Sequence, residues 1–233
     1  MKKIYIALSL MLITLTAFNQ TIVEKTIKVN NQKEVVLDFD FADEIKINGW
    51  DKNEIYVKVS VNINDNEDNG AFKLEAKESS SFVSFISDIE NLKKLSKNRI
   101  TVKTTEDGKR TTTYSDGWHI DMDIYFEVFL PKNMSINLGT ISGDVIINEA
   151  YAALDIETIS GFIDLTIDKS SKASVKTSTI SGGVYTDHDI EINRKAKNGK
   201  YHMVIGSSPD FDMNGGGRSI NLETISGDIY IRK

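Results

Sequence analysis

Asp144 and Asp228 each follow a Ser-Gly pair. Two carboxylates held side by side can divide general-acid and general-base work, as the paired acids of glycosidases do. The two other Ser-Gly pairs are followed by Phe162 and Gly183, so no row of carboxylates is expected. Turn chemistry accounts for an Asp in this place. In Thr186-Asp187-His188-Asp189 an imidazole lies between two acids, and with His202 it has the donor types of a metal site. On a strand the two acids face away from the imidazole, which favours a wet surface instead.

Asp65-Asn66-Glu67-Asp68-Asn69-Gly70 is rich in oxygen donors. Asp65, Glu67 and Asn69 occupy the first, third and fifth places of a calcium loop, with Gly70 in the sixth. The twelfth place, where a bidentate Glu belongs, is Ala76, and a solvated hairpin turn fits better. His119, Asp121 and Asp123 share one strand face, read as solvent-facing. Tyr114 and Trp118 sit in a loop-like stretch, Glu106 to Trp118, where an aromatic can meet a sugar or close over the core. No Ser-His-Asp order, glycine-rich phosphate loop or cysteine site is present. The expectation is a protein with no catalytic residue, cofactor or metal.

The elements that position these residues read as strands. Ile55, Val57, Val59, Val61 and Ile63 alternate with Tyr56, Lys58, Ser60 and Asn62. Ile120, Met122, Ile124, Phe126, Val128 and Leu130 alternate with Asp121, Asp123, Tyr125 and Glu127. Val35, Leu37, Phe39 and Phe41 share one parity. A period of two gives each strand one buried face and one wet face. Helical spacing is confined to Asp88–Lys97, where Ile89, Leu92 and Leu95 recur every third residue.

The second half repeats itself. Thr140-Ile141-Ser142-Gly143 returns as Thr158-Ile159-Ser160-Gly161, Thr179-Ile180-Ser181-Gly182 and Thr224-Ile225-Ser226-Gly227. The flanks repeat too: Ile136 and Leu138 before the first motif, Val145 and Ile147 after it, with equivalents around the others. The apolar parity flips across Ile-Ser-Gly, so the chain turns a corner there. Glycine permits the positive φ of a corner, and the Ser hydroxyl can bond the turn backbone. The Ile of each motif is expected to stack on its equivalents in neighbouring coils. The fold expected is all-β, a β-solenoid of stacked coils of about 20 residues preceded by further strands. The divisions are a signal segment at 1–20, a strand region at 21–130 and the repeats at 131–233, continuous with it.

Phe126-Glu127-Val128-Phe129-Leu130-Pro131-Lys132 leads directly into the first repeat, and Gly215-Gly216-Gly217-Arg218 leads into the last. With the recurring Thr-Ile-Ser-Gly, this resembles the bacterial "putative adhesin" β-strand repeat domains, a family of unknown function related to auto-transporter adhesin heads. The resemblance covers roughly residues 35–233. It implies a surface-attachment role. The stretch 184–219 departs from the pattern, with Tyr201 to Gly206 left to serve as a corner.

Lys2 and Lys3 precede an apolar run from Ile4 to Phe18, with Ala17, Asn19 and Gln20 at a cleavable position. Its 15 residues fall short of the roughly 20 that span a bilayer. Export to the periplasm or cell surface is expected, without a transmembrane anchor after cleavage. The chain has no cysteine, so neither a lipid anchor nor a disulfide is available. Loss of residues 1–20, which hold two lysines and no acid, takes the formal charge from −6 to −8. An acidic chain argues against nucleic acid as partner. The leading expectation is an envelope binding or scaffold protein whose partner is a glycan or a protein. The alternatives are a β-helix polysaccharide lyase or hydrolase, and a periplasmic accessory factor in envelope-stress signalling.

Overall fold

A computed structural model describes residues 20–96, 99–104, 110–115, 120–149, 151–192 and 209–233. The expected signal segment before Gln20, Trp118, His119, His202 and the expected corner at Tyr201 to Gly206 lie outside the described residues. So do the side chains of residues 99–115, Tyr114 among them.

The described chain is all-β with one short helix. The strands of the first half are β1 (Thr21–Lys28), β2 (Glu34–Asp38), β3 (Phe41–Trp50), β4 (Glu54–Ile63), β5 (Phe72–Glu78), β6 (Phe82–Ile89), β7 (Arg99–Thr104), β8 (Arg110–Ser115) and β9 (Met122–Pro131). Those of the second half are β10 (Ser135–Ile147), β11 (Leu154–Ser160), β12 (Ile163–Thr166), β13 (Ala173–Ser181), β14 (Val184–Thr186), β15 (Glu191–Ile192), β16 (Asp210–Met213), β17 (Arg218–Ser226) and β18 (Ile229–Arg232). The expected helix shrinks to α1 (Leu92–Leu95), because Asp88 and Ile89 belong to β6. β7 and β8 pair only with each other, and the other sixteen strands form one open sheet.

That sheet branches at β10 into two walls. One wall runs β5-β6-β2-β10-β11-β17-β13-β16-β15, and the other β1-β4-β9-β3-β10-β12-β18-β14. Strand β10 spans both, its first half in one wall and its second half in the other. The alternation seen in the sequence puts Ile136, Leu138, Ile156 and Leu222 inside from the first wall, and Val145, Ile147, Leu165 and Ile231 inside from the second. Phe39 stacks on Phe126 across the interior, ring centres 4.1 Å apart. One buried cluster runs from Val35 to Ile231, and β9 crosses residue 130 without a break. Each fully buried Ile, Leu or Val contributes about 1.5–3 kcal/mol, which is what holds a chain without disulfides.

The four Thr-Ile-Ser-Gly segments stack in parallel and in register, so like residues meet. Thr140 pairs Thr158, Thr158 pairs Thr224, and Thr224 pairs Thr179. The levels therefore do not follow chain order: the last copy lies between the second and the third. Residues 184–219 make this possible. Part of that stretch forms β15 and β16, which pair antiparallel along the outer edge of β13, and the chain returns to the vacant level through β17. A fifth level comes from β2 and β3, which pair β10 in parallel with a register shift at the corner. It lacks the motif and carries one extra residue at the corner, so no tetrapeptide marks it in the sequence.

Candidate binding surface

The corner residues bond from level to level. Thr140 Oγ1 donates to Phe39 O (2.7 Å), Thr224 Oγ1 to Gly161 O (3.2 Å) and Thr179 Oγ1 to Gly227 O (2.9 Å). Gly161 N donates to Ser226 O and Gly227 N to Ser181 O, both at 3.1 Å. The expected Ser hydroxyl bonds are not the corner's device: Ser160, Ser181 and Ser226 are exposed, and Ser142 Oγ reaches Ala42 O only at 3.4 Å. The buried hydroxyls of Thr140, Thr179 and Thr224 take that part. Positive φ explains two glycines, Gly143 (128°) and Gly161 (141°). Close approach explains all four, since a Cβ on Gly182 or Gly227 would lie within 2.0 Å of the carbonyl oxygen one level away.

Asp144 and Asp228 are not neighbours, because the level of Phe162 lies between theirs. Asp144 Oδ1 accepts from Phe162 N (3.1 Å) and Asp228 Oδ1 from Gly183 N (2.8 Å). Each carboxylate thus caps the corner of the next level. His188 is buried, its Nε2 3.0 Å from Arg232 O, while Asp187 Oδ1 accepts from Lys233 N (3.0 Å). The acidic loop is closed by its amides. Asn64, Asp65 and Asn66 are all left-handed, Asn69 Oδ1 accepts from Ile63 N (2.7 Å), and Asn69 Nδ2 donates to Val61 O (3.0 Å). Asp121 and Asp123 are exposed, and Asp123 accepts from Asn62 Nδ2 (2.8 Å). Among the described residues no three His, Cys, Asp or Glu side chains gather as a metal site.

The expected stacking of the motif isoleucines is ordered 141, 159, 225, 180, on the outside of the corners. They are 41%, 48%, 48% and 70% exposed. The outer face of the first wall holds an open groove of about 430 Å³ whose row is Asn137, Asp155, Asn221 and Lys176. Asn221 Nδ2 donates within it to Asp155 Oδ1 (2.9 Å).

The outer face of the second wall is chemically richer. There β4, β9 and β3 place nine side chains in a three-by-three grid. Its rows are Ser60, Tyr125, Glu44; Lys58, Glu127, Lys46; and Tyr56, Phe129, Asn48. The first two rows line a depression of about 280 Å³. Lys58 Nζ lies 3.1 Å from Glu127 Oε2, and Lys46 Nζ 2.6 Å from Glu44 Oε1. Trp50 lies one step beyond the third row, opposite Pro131, its ring centre 5.5 Å from Phe129 and 6.2 Å from Tyr56. Lys52 Nζ lies 4.4 Å over the Trp50 ring, and Trp50 Nε1 donates to Glu54 O (2.7 Å). Asn148 Nδ2 donates to Asn48 Oδ1 (2.8 Å) beside Phe129.

Both tyrosines of the grid have raised pKa values. The Tyr56 hydroxyl donates to Glu24 (2.7 Å), and that bond, with burial and nearby charge, pushes its pKa up to about 12. Tyr125, 40% exposed, is raised chiefly by the negative charge of Asp43. Farther along the same wall, Tyr185 stacks on Tyr230 at 5.2 Å, and Arg232 Nε donates to both carboxylate oxygens of Asp164 (2.8 and 2.9 Å). Sequence reasoning placed Tyr56, Lys58, Tyr125 and Glu127 on wet faces without joining them. The missed signal is Phe129, an aromatic on the wet parity of an otherwise regular strand.

No family model and no curated protein sequence matches the chain. A solved structure from Clostridium sporogenes, described as a "putative cell adhesion protein", superposes with a TM-score of 0.53 at 11% identity, covering 91% of this chain and 99% of that one. That is a likeness of fold. Two solved "putative adhesin" structures match at lower scores. The one from Parabacteroides distasonis has a TM-score of 0.24 at 11% identity, covering 72% of this chain and 70% of its own. The one from Bacteroides fragilis has 0.22 at 9%, covering 91% and 96%.

Proposed function

We propose that the chain is an exported, non-catalytic binding protein of the bacterial envelope, adhesin-like in role. Its stacked levels act as a short, solenoid-like scaffold. The observation that carries the reading is the outer face of the second wall. Rigid paired strands present aromatic rings and hydrogen-bonding groups to solvent, the arrangement of a binding surface rather than of a reaction centre. Asp144 and Asp228, the one acid pair with a catalytic precedent, are both committed to backbone N–H groups. The Lys2-Lys3 start and the Ile4–Phe18 run supply the export signal, and the fold likeness to a protein described as adhesive agrees with an envelope role.

The test is the fate of the native chain. Mass spectrometry of protein from fractionated cells should find a new N-terminus between residues 17 and 22, in periplasmic, surface or culture fractions. The purified protein should sediment with isolated envelopes of its host or neighbouring cells. An intact Met1 in cytosol, or no retention by any envelope preparation, defeats the proposal.

A further inference from the structure

We infer that the grid on the second wall binds an uncharged glycan chain laid along β9, over Tyr125, Glu127 and Phe129. The inference rests on the envelope-binding reading and names the class of ligand for it.

Three observations point to carbohydrate. The first is the pairing of ring with donor. A pyranose offers an apolar C–H face and a rim of hydroxyls, so it is recognised by an aromatic surface beside groups that donate and accept together. Phe129, Trp50 and Tyr56 form such a surface, and Tyr125 provides a second ring on the same strand. Between them the Lys58–Glu127 and Lys46–Glu44 pairs offer ammonium donors and carboxylate acceptors. The Asn48–Asn148 amides stand beside Phe129.

The second observation is charge. Lys46, Lys52 and Lys58 pair with Glu44, Glu54 and Glu127, and Glu24, Asp43 and Asp123 add negative charge beside Tyr56 and Tyr125. A polyanion such as a uronic-acid chain or a phosphate polymer needs an excess of Lys or Arg, which this face lacks. With each of these lysines already paired to a carboxylate, none is left to hold an anionic ligand, which suits a glycan without charge.

The third is length. Tyr125 and Phe129 are four residues apart on one strand, about 13 Å at the rise of a β-strand. The ladders on both sides fix their spacing. That span exceeds one sugar ring, so the ligand is an oligosaccharide contacted at two points, with the depression of about 280 Å³ between them.

The test is an array of uncharged oligosaccharides (glucans, xylans, mannans and N-acetylglucosamine oligomers) beside sulfated and uronic-acid glycans, probed with the exported protein. Binding to at least one uncharged class is expected, changing less than about twofold between 50 and 500 mM salt. Tyr125→Ala and Phe129→Leu should each lower that affinity at least tenfold, with circular dichroism and melting temperature close to wild type. Phe129→Leu keeps apolar bulk in the aromatic cluster, so a folding defect and a lost stacking contact are told apart. Asn137→Ala, on the opposite wall, should bind as wild type does. The inference is overturned by no binding to any uncharged class, by binding to anionic glycans alone with a steep salt dependence, or by binding that survives both ring substitutions. Retention by isolated envelopes is measured in parallel. Envelope binding without glycan binding removes this inference and leaves the proposed function standing, whereas loss of both removes both.

Discussion

Gly161 and Gly227 meet backbone to backbone. A Cβ placed on Gly227 would lie 2.0 Å from Gly161 O, and one placed on Gly161 would lie 2.2 Å from Gly143 O. The motif glycines are therefore a column of contacts between levels as much as they are turn residues. The obstacle is main chain, which cannot swing aside.

Gly227→Ala tests this without the issue of positive φ. The new methyl meets a carbonyl group, so destabilisation of at least about 1–3 kcal/mol is expected, as for overpacked interiors. Gly161→Val should cost more, because positive φ adds strain there. The crowding partner is the Gly143 carbonyl of the adjacent level. Gly139→Ala, with nothing within 4 Å of the new Cβ, should match wild type. Urea midpoints of the three variants decide the matter, and equal midpoints would refute the column.

The threonines offer a finer contrast. Thr179 and Thr224 donate to the glycine carbonyl one level away, while buried Thr158 Oγ1 has no partner. Thr179→Val and Thr224→Val should each lose about 1 kcal/mol. Thr158→Val removes an unsatisfied hydroxyl at nearly constant volume and should be neutral or stabilising. A fall in melting temperature for Thr158→Val equal to that of the others would mean that the hydroxyl is bonded in solution.

The order of levels can be read chemically, since the chain has no cysteine of its own. Ser160 and Ser226 are register partners, as are Ser226 and Ser181. Adjacent strands lie about 4.8 Å apart and next-but-one strands about 9.6 Å. A disulfide tolerates Cα separations up to roughly 7 Å. Ser160→Cys with Ser226→Cys should oxidise readily, and Ser160→Cys with Ser181→Cys should not. The opposite result on non-reducing gels would restore chain-order stacking.

Asp40 predicts a pH effect of unusual sign. Burial raises its pKa above the usual carboxylate value, and Asp38 and Asp88 add to the rise. A raised folded-state pKa means that the native state binds its proton more tightly than the unfolded chain does. Stability from this group therefore falls as pH rises through the window that starts at 3.8 and extends to the raised value. Asp40→Asn should stabilise at pH 7 by a fraction of a kcal/mol, since the group is only partly buried. The gain should vanish below pH 3.8, where Asp40 is protonated in both states. Thermal melts of variant and wild type at the two pH values give the comparison, and a gain that persists in acid would rule out the charge as its cause.

Strand parity was legible along the chain because a side chain's face depends only on its own strand. Val57 and Lys58, or Leu138 and Ile147, needed no knowledge of neighbours to be assigned inside or outside. The same held for the flip of buried parity across each Thr-Ile-Ser-Gly, which is set by local geometry alone. Stacking order was not legible, because four segments with the same flanks can pair with one another in any sequence. The edge taken by β15 and β16 on β13, and the return of β17 to the level beside β11, settle it. The level of β2 and β3 was hidden by its extra corner residue. The grid belongs wholly to tertiary structure. Tyr56, Phe129 and Asn48 come from three strands, and only the antiparallel β4–β9 and parallel β3–β9 ladders bring them into one row. Sequence periodicity sets which face a residue takes, but register between distant strands is a property of the assembled sheet.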